Sequence, residues 1–207
     1  MLPHRDQLLH RLANTKKSGG PTSYDKDQHT VEAVISMGSP VERPYGMEVL
    51  RISPHAVDLS RLHDGGIPFL DHHSQAGIDQ VLGRVTDAWI ERGRLMGRIK
   101  FARTAQGRKA EGMVARGELT GISAGYRVDE WLITDEDGDV VDERDIRWDD
   151  KLTFTATRWQ LFEASLVGVP ADAASSIRSL GGRYLIGDIR ARMRARHAIV
   201  MRMCSYV

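Results

Sequence analysis

The stretch VLGRVTDAWIERGRLMGRIKF, residues 81–101, decides what kind of structure this chain adopts. Two β-prone arms, residues 81–90 and 94–101, flank the turn signal Glu91-Arg92-Gly93. In the second arm Leu95, Ile99 and Phe101 fall on one face with Gly97 between them, and charged residues fall on the other. That period of two predicts an antiparallel hairpin with one face on a core. Working outward, the same pattern recurs. VEAVIS (31–36), MEVLRIS (47–53) and IPFLDHH (67–73) read as strands, as do residues 119–128, 152–156 and 159–169. Residues 104–116 read as a helix, with Thr104 as N-cap and Gly117 just past its end. Short helices are also expected over 54–62 and 171–180. Residues 134–150 are dominated by Asp and Glu and read as a solvated loop or hairpin tip. Many short strands with few helices predict a compact α+β domain or a small β-barrel.

Composition bounds the function. The 207 residues suffice for one domain with tails, and the balance of 41% hydrophobic to 28% charged residues is that of a globular chain. A formal net charge of +1 gives no global case for nucleic acid. No apolar run approaches the roughly 20 residues of a spanning helix, and the N-terminus lacks the apolar core of a secretory signal. Cys204 is the single cysteine, which excludes an internal disulfide framework and a Cys-rich zinc site, and fits a cytosolic compartment. The chain divides into a flexible N-terminal tail (1–30, a weak helix and then a breaker-rich linker), a folded domain (31–180) and a basic amphipathic C-terminal segment (181–207).

Three segments carry chemistry. In GISAGY, strand alternation points Ile122, Ala124 and Tyr126 one way and Ser123 the other, with Gly121 and Gly125 as its neighbours on that face. Two glycines leave the hydroxyl unscreened and open the strand to close approach of another backbone. The competing reading is an ordinary serine in a bulged strand. The letters also satisfy G-x-S-x-G, the nucleophile elbow of α/β-hydrolases, but that motif must open into a helix and be followed by acid and histidine. Here YRVDEW continues as a strand, and only His197 follows.

Serine needs a base, because its hydroxyl is barely ionised at neutral pH. Asp71-His72-His73 supplies two histidines, of which strand alternation lets one reach the serine. Together with His63-Asp64 this run could instead hold a metal, although the spacing matches no tight ligand signature. The bland reading is a pair of surface histidines. Glu163 is the outstanding acid, because it interrupts the otherwise apolar strand of WQLFEASLVGVP (159–170) and so calls for a partner. The competing reading puts Leu161, Glu163 and Ser165 together on an exposed face.

Taken in order, EVLRISPHAVDLSRL, FLDHHSQAGIDQVLGRV, LTGISAGYRV and RWQLFEASLVGVPADAAS resemble the prohead maturation proteases of tailed phages, a family related in fold to herpesvirus assemblin. The resemblance covers residues 48–179. It implies a small, mainly antiparallel β-barrel flanked by helices. It implies a serine endopeptidase with Ser123 as nucleophile, His73 as base and Glu163 as third member, with no cofactor and no metal. His72 is the alternative base, and His72 or His63 the alternative third member, since assemblin-type enzymes use a second histidine. The implied partners are scaffold and major capsid protein, whose N-terminal segment is cut inside the immature shell in the host cytoplasm, followed by self-cleavage. A homodimer is possible within the family, and neither nucleic acid nor membrane is expected as a partner. The alternatives are a non-enzymatic scaffold or assembly module and an esterase-type hydrolase.

Overall fold

The computed structural model describes residues 9–12, 21–147, 150–168 and 175–177. Among the described residues ten strands form one curled sheet, a half-barrel: β1 (Leu9–Leu12), β2 (Thr30–Ser36), β3 (Val41–Arg43), β4 (Gly46–Leu50), β5 (Val57–Asp58), β6 (Ile67–Asp71), β7 (Val81–Glu91), β8 (Arg94–Phe101), β9 (Gly121–Thr134) and β10 (Thr153–Val167). The main path runs β1-β9-β10-β6-β7-β8-β2. Most pairings are antiparallel. The exception is β10, which pairs antiparallel with β9 but parallel with β4, β5 and β6. That hub position matters for function, because β10 lies between β9 and the end of β6 and holds both in register.

The hairpin that anchors the sequence reading is β7–β8. Arg92 and Gly93 both take positive φ (51° and 72°), the mirror-image turn whose twist suits a two-residue hairpin. Leu95, Ile99 and Phe101 are buried, while Arg98 and Lys100 on the opposite face are exposed. The one α-helix among the described residues, α1 (Ala105–Ala115), starts where its cap predicts. The Thr104 hydroxyl accepts a hydrogen bond from the Gly107 N–H at 3.1 Å, and Gly117 follows the helix at φ 70°. The core lies against one face of the sheet, with Ile35, Phe69, Val85, Ile99, Ile122, Tyr126 and Trp159 among its fully buried side chains.

Several local expectations change. The two strands expected over 152–156 and 159–169 are replaced by one, β10 over Thr153–Val167, because bulges around Arg158 absorb the break in alternation that suggested two. The helix expected over 54–62 reduces to the two-residue β5 and one 3₁₀ turn at Ser60–Leu62. Within the tail read as a weak helix, Leu9–Leu12 instead pairs as a strand with β9, since a free sheet edge satisfies its backbone better than a marginal short helix can. Of the helix expected over 171–180, residues 175–177 are described and are extended. They bridge Gly121 of β9 and Ala33 of β2 through Ser176 and Ile177. The basic segment 181–207 lies outside the described residues.

Candidate active site

On β9 the alternation places Ile122, Ala124, Tyr126 and Val128 in the core, so Ser123 and Gly125 point to the opposite face. Directly across on β10, Ser165 opposes Ser123 and Glu163 opposes Gly125. Residues so paired share a face, with Cα atoms roughly 4.5–5.5 Å apart. Ser123, Gly125, Glu163 and Ser165 therefore form one patch on two neighbouring strands.

A bulge makes this patch possible. Trp159 and Leu161 point into the core, and so do Ala164 and Leu166. The change from odd to even positions occurs at Phe162, where the β9–β10 register slips between Leu161 and Glu163. The expectation that Leu161, Glu163 and Ser165 share a face is thus corrected. Leu161 opposes Tyr126 in the core, whereas Glu163 is turned to the serine side, because one extra residue inverts strand alternation. Phe162 is left on the outer side of the sheet, where the guanidinium groups of Arg61 at 4.3 Å and Arg127 at 5.4 Å stand over its ring.

Gly125 has a specific reason to be glycine. A Cβ there would stand 2.0 Å from Glu163 Oε1 and 2.7 Å from its Cδ. The bare backbone is the space into which the carboxylate folds, which differs from the expected role of admitting a substrate. The hydroxyl expected to be unscreened is also enclosed. Ser123 is 0% exposed, and its Oγ has no hydrogen-bond partner among the described residues.

The histidines come from the end of β6, which runs parallel to β10 with Leu70 beside Ser165 and Asp71 beside Leu166. The strand then stops. Ser74 N–H bonds back to the Asp71 carbonyl at 2.9 Å, and both central residues, His72 and His73, take positive φ (46° and 61°). Two consecutive non-glycine residues in the left-handed region are uncommon and strained, a feature that gathers at functional sites. The pair diverges because of this turn, not because of strand alternation. His73 folds onto β10. Its Nδ1–H meets Glu163 Oε1 at 2.6 Å, and its backbone N–H donates to Ser165 Oγ at 3.0 Å. Ser165 Oγ–H in turn donates to Glu163 Oε2 at 2.6 Å. The Glu163 carboxylate, 2% exposed, thus accepts from both the imidazole and the neighbouring serine.

His72 faces outward. Its Nδ1–H donates to Asp71 Oδ1 at 2.5 Å, and its Nε2 accepts the Gly168 N–H at 3.2 Å, so both ring nitrogens are engaged at the rim. His63 sits in an exposed turn ahead of β6, separated from His73 by that whole strand. A five-residue strand is about 16 Å long. Among the described residues, no group of three or more His, Cys, Asp or Glu is placed to hold a metal ion. The nucleophile-elbow reading fails on geometry, because β9 runs on without a helix to Thr134.

Ser165 is the member that sequence reasoning passed over. Its signal was the E-A-S spacing, which on a strand puts a hydroxyl on the same face as the acid, two residues on. Chemically the arrangement fixes a tautomer. A carboxylate at Nδ1 keeps the proton there and leaves the Nε2 lone pair available to accept one, which is the requirement for a histidine acting as base towards a hydroxyl.

Comparison with known proteins places these features in a family context. The family described as caudovirus prohead serine protease matches residues 22–183. A major capsid protein of Halomonas phage phiHAP-1 is 33% identical over 139 residues, 67% of this chain and 21% of that protein. The chain thus spans about a fifth of the length of that curated relative. Among solved structures, the bacteriophage T4 capsid assembly protease aligns with a TM-score of 0.41 and 15% identity, over 78% of this chain and 98% of that one.

Proposed function

Because the chain belongs to the caudovirus prohead serine protease family, we propose that it is a serine endopeptidase of capsid maturation in which Ser123 is the nucleophile, His73 the general base and Glu163 the group that orients the base. The observation that carries this reading is the contact of 2.6 Å between His73 Nδ1 and a buried Glu163, made on the strand pair that presents Ser123. In the acylation step His73 Nε2 takes the Ser123 proton as Oγ attacks a peptide carbonyl. The imidazolium then protonates the leaving amine, and a water repeats the sequence to release the acyl group. Glu163 stabilises the imidazolium, and Ser165 holds both the carboxylate and the His73 backbone in place.

On this reading the substrates are scaffold and the N-terminal segment of the capsid protein, cut within the immature shell, and the enzyme also processes itself. The curled sheet then corresponds to the barrel of the herpesvirus-type proteases. The match to a protein named major capsid protein supports a capsid partner, and is also the one observation favouring the second reading, a non-enzymatic assembly module.

One experiment separates the two readings. The wild type, co-expressed with the capsid and scaffold proteins of its phage, is expected to cleave them and to label at Ser123 with a fluorophosphonate. Ser123→Ala and His73→Ala should abolish cleavage. His72→Asn, which tolerates the left-handed backbone, should retain it. Cleavage that persists in Ser123→Ala refutes the proposed mechanism, and a folded wild type that neither cleaves nor labels favours the assembly module.

A further inference from the structure

The side of β9 turned away from β10 is occupied in two sections. At its start, Gly121 bridges to Ser176 and the Ile122 N–H reaches the Ser175 carbonyl at 3.4 Å, so residues 175–177 take that section. The next section, Ser123 to Tyr126, is taken by β1. The pairing is antiparallel, with Leu9 opposite Tyr126, His10 opposite Gly125, Arg11 opposite Ala124 and Leu12 opposite Ser123. A segment from the N-terminal end of the chain thus lies in extended form along the four residues that begin with the candidate nucleophile.

An extended strand against a sheet edge is also how a peptide is presented to a site built on that edge. The backbone ladder supplies affinity and fixes which peptide unit stands beside the reactive group. In the observed register that unit is at Leu12. A second observation agrees with occupancy of this edge, since Ser123 has no exposed surface although its face is not the hydrophobic core.

We infer that the Ser123–Tyr126 edge of β9 is the strand-accepting surface for extended peptide substrates, and that Leu9–Leu12 of the same chain fills it as an internal pseudosubstrate. The inference rests on the reading of Ser123 as the nucleophile. It makes the resting chain self-inhibited. The segment must leave the edge before a scaffold or capsid peptide can enter, and an intramolecular strand competes at high effective concentration against any peptide in solution.

The test uses the full-length chain carrying His10→Pro and Leu12→Pro together. Proline removes backbone donors and disfavours strand pairing. Circular dichroism and thermal melting report whether the domain stays folded. A fluorophosphonate then measures access to Ser123. The double variant is expected to label at least tenfold faster than wild type, and a synthetic peptide of residues 5–14 added in trans is expected to slow it again. Equal labelling rates at Ser123 in wild type and variant, with no effect of the peptide, would overturn the inference while leaving the serine nucleophile intact. Should the double variant melt early, the single variant His10→Pro, checked for folding in the same way, takes its place. Labelling faster than wild type that added peptide slows supports a strand-accepting edge, and labelling equal to wild type refutes it. Absence of any labelling at Ser123 in folded wild type and folded variant alike would refute the nucleophile itself.

Discussion

At the scale of single residues, the two serines of the patch are predicted to behave oppositely. Ser123 Oγ is buried without a hydrogen-bond partner among the described residues, so removing it takes away a desolvated polar atom and no bond. Ser123→Ala should leave the melting temperature unchanged or raise it slightly, while activity is lost. Ser165 Oγ donates to Glu163 and accepts from the His73 backbone, so Ser165→Ala removes two hydrogen bonds, one to a buried carboxylate and one from the half-buried His73. It should cost about 1–3 kcal/mol in urea denaturation and lower kcat through a misplaced imidazole. If the two variants prove equally stable, Ser165 does not hold the site. Gly125→Ala makes a sharper demand. Its methyl group would overlap a carboxylate pinned by two hydrogen bonds, and a displacement of about 1 Å in a positioning group can lower the rate on the order of 100-fold. The accompanying overpacking should cost about 1–3 kcal/mol. Near wild-type kcat in Gly125→Ala would show that the Glu163 position is not critical.

At the scale of elements, the β7–β8 hairpin offers a stabilising change. Arg92 is held at φ 51° ahead of Gly93, in a turn that favours Asn followed by Gly. Arg92→Asn should therefore stabilise by about 0.5–1 kcal/mol, which for a domain of this size is a rise in Tm of about 1–4 °C. A fall in Tm would mean that the arginine side chain contributes something the turn geometry does not show. The bulge at Phe162 is the element-scale feature on which the site depends. Without a change of parity within β10, the Trp159 and Leu161 that fill the core would force Glu163 into the core with them. The sequence carries this as two apolar sets out of phase, residues 159 and 161, then 164 and 166. The pattern is legible once sought, but alternation alone gives no reason to place a slip at 162, and a regular strand over 159–169 would put Leu161 and Glu163 on one face.

At the scale of the whole molecule, buried carboxylates tie the outer segments to the sheet. Glu48 of β4, fully buried, accepts from Tyr45 and from Tyr126 of β9, each at 2.5 Å, with Arg43 beside it at 3.3 Å. Glu111 of α1 accepts from Tyr24 at 2.7 Å and contacts His29 at 2.9 Å, fixing the segment ahead of β2 to the helix. Burial, reinforced by Glu111, pushes the Tyr24 phenol from 10.0 up to about 12. A raised value means that the folded state holds its proton more tightly than the unfolded one. The associated stability is complete below pH 10 and is lost as pH rises through about 12. Tyr45 shifts in the same direction, from burial and Glu48. Urea denaturation at stepped pH should show stability falling above pH 10, with a shallower fall in Tyr24→Phe. An identical slope in that variant would assign the loss to other groups.

What the sequence determined by itself is what local physics controls. Alternation and turn chemistry specify the β7–β8 hairpin, Thr104 and Gly117 bound α1, and the period of β9 turns Ser123 away from the core, because each depends on residues within a few positions of one another. Residue types also singled out Ser123, Glu163 and the His72-His73 pair, since a polar group amid apolar ones needs a partner. Only the tertiary structure decided the partners. Which histidine meets Glu163 depends on a turn of two left-handed residues at the end of β6, on the parallel pairing of β6 with β10, and on the bulge at Phe162. None of these has a local signature strong enough to set register between strands about a hundred residues apart. The strand at Leu9–Leu12 is the clearest case. Its sequence is weak for any structure, and it becomes a strand because the β9 edge leaves backbone donors and acceptors to be satisfied.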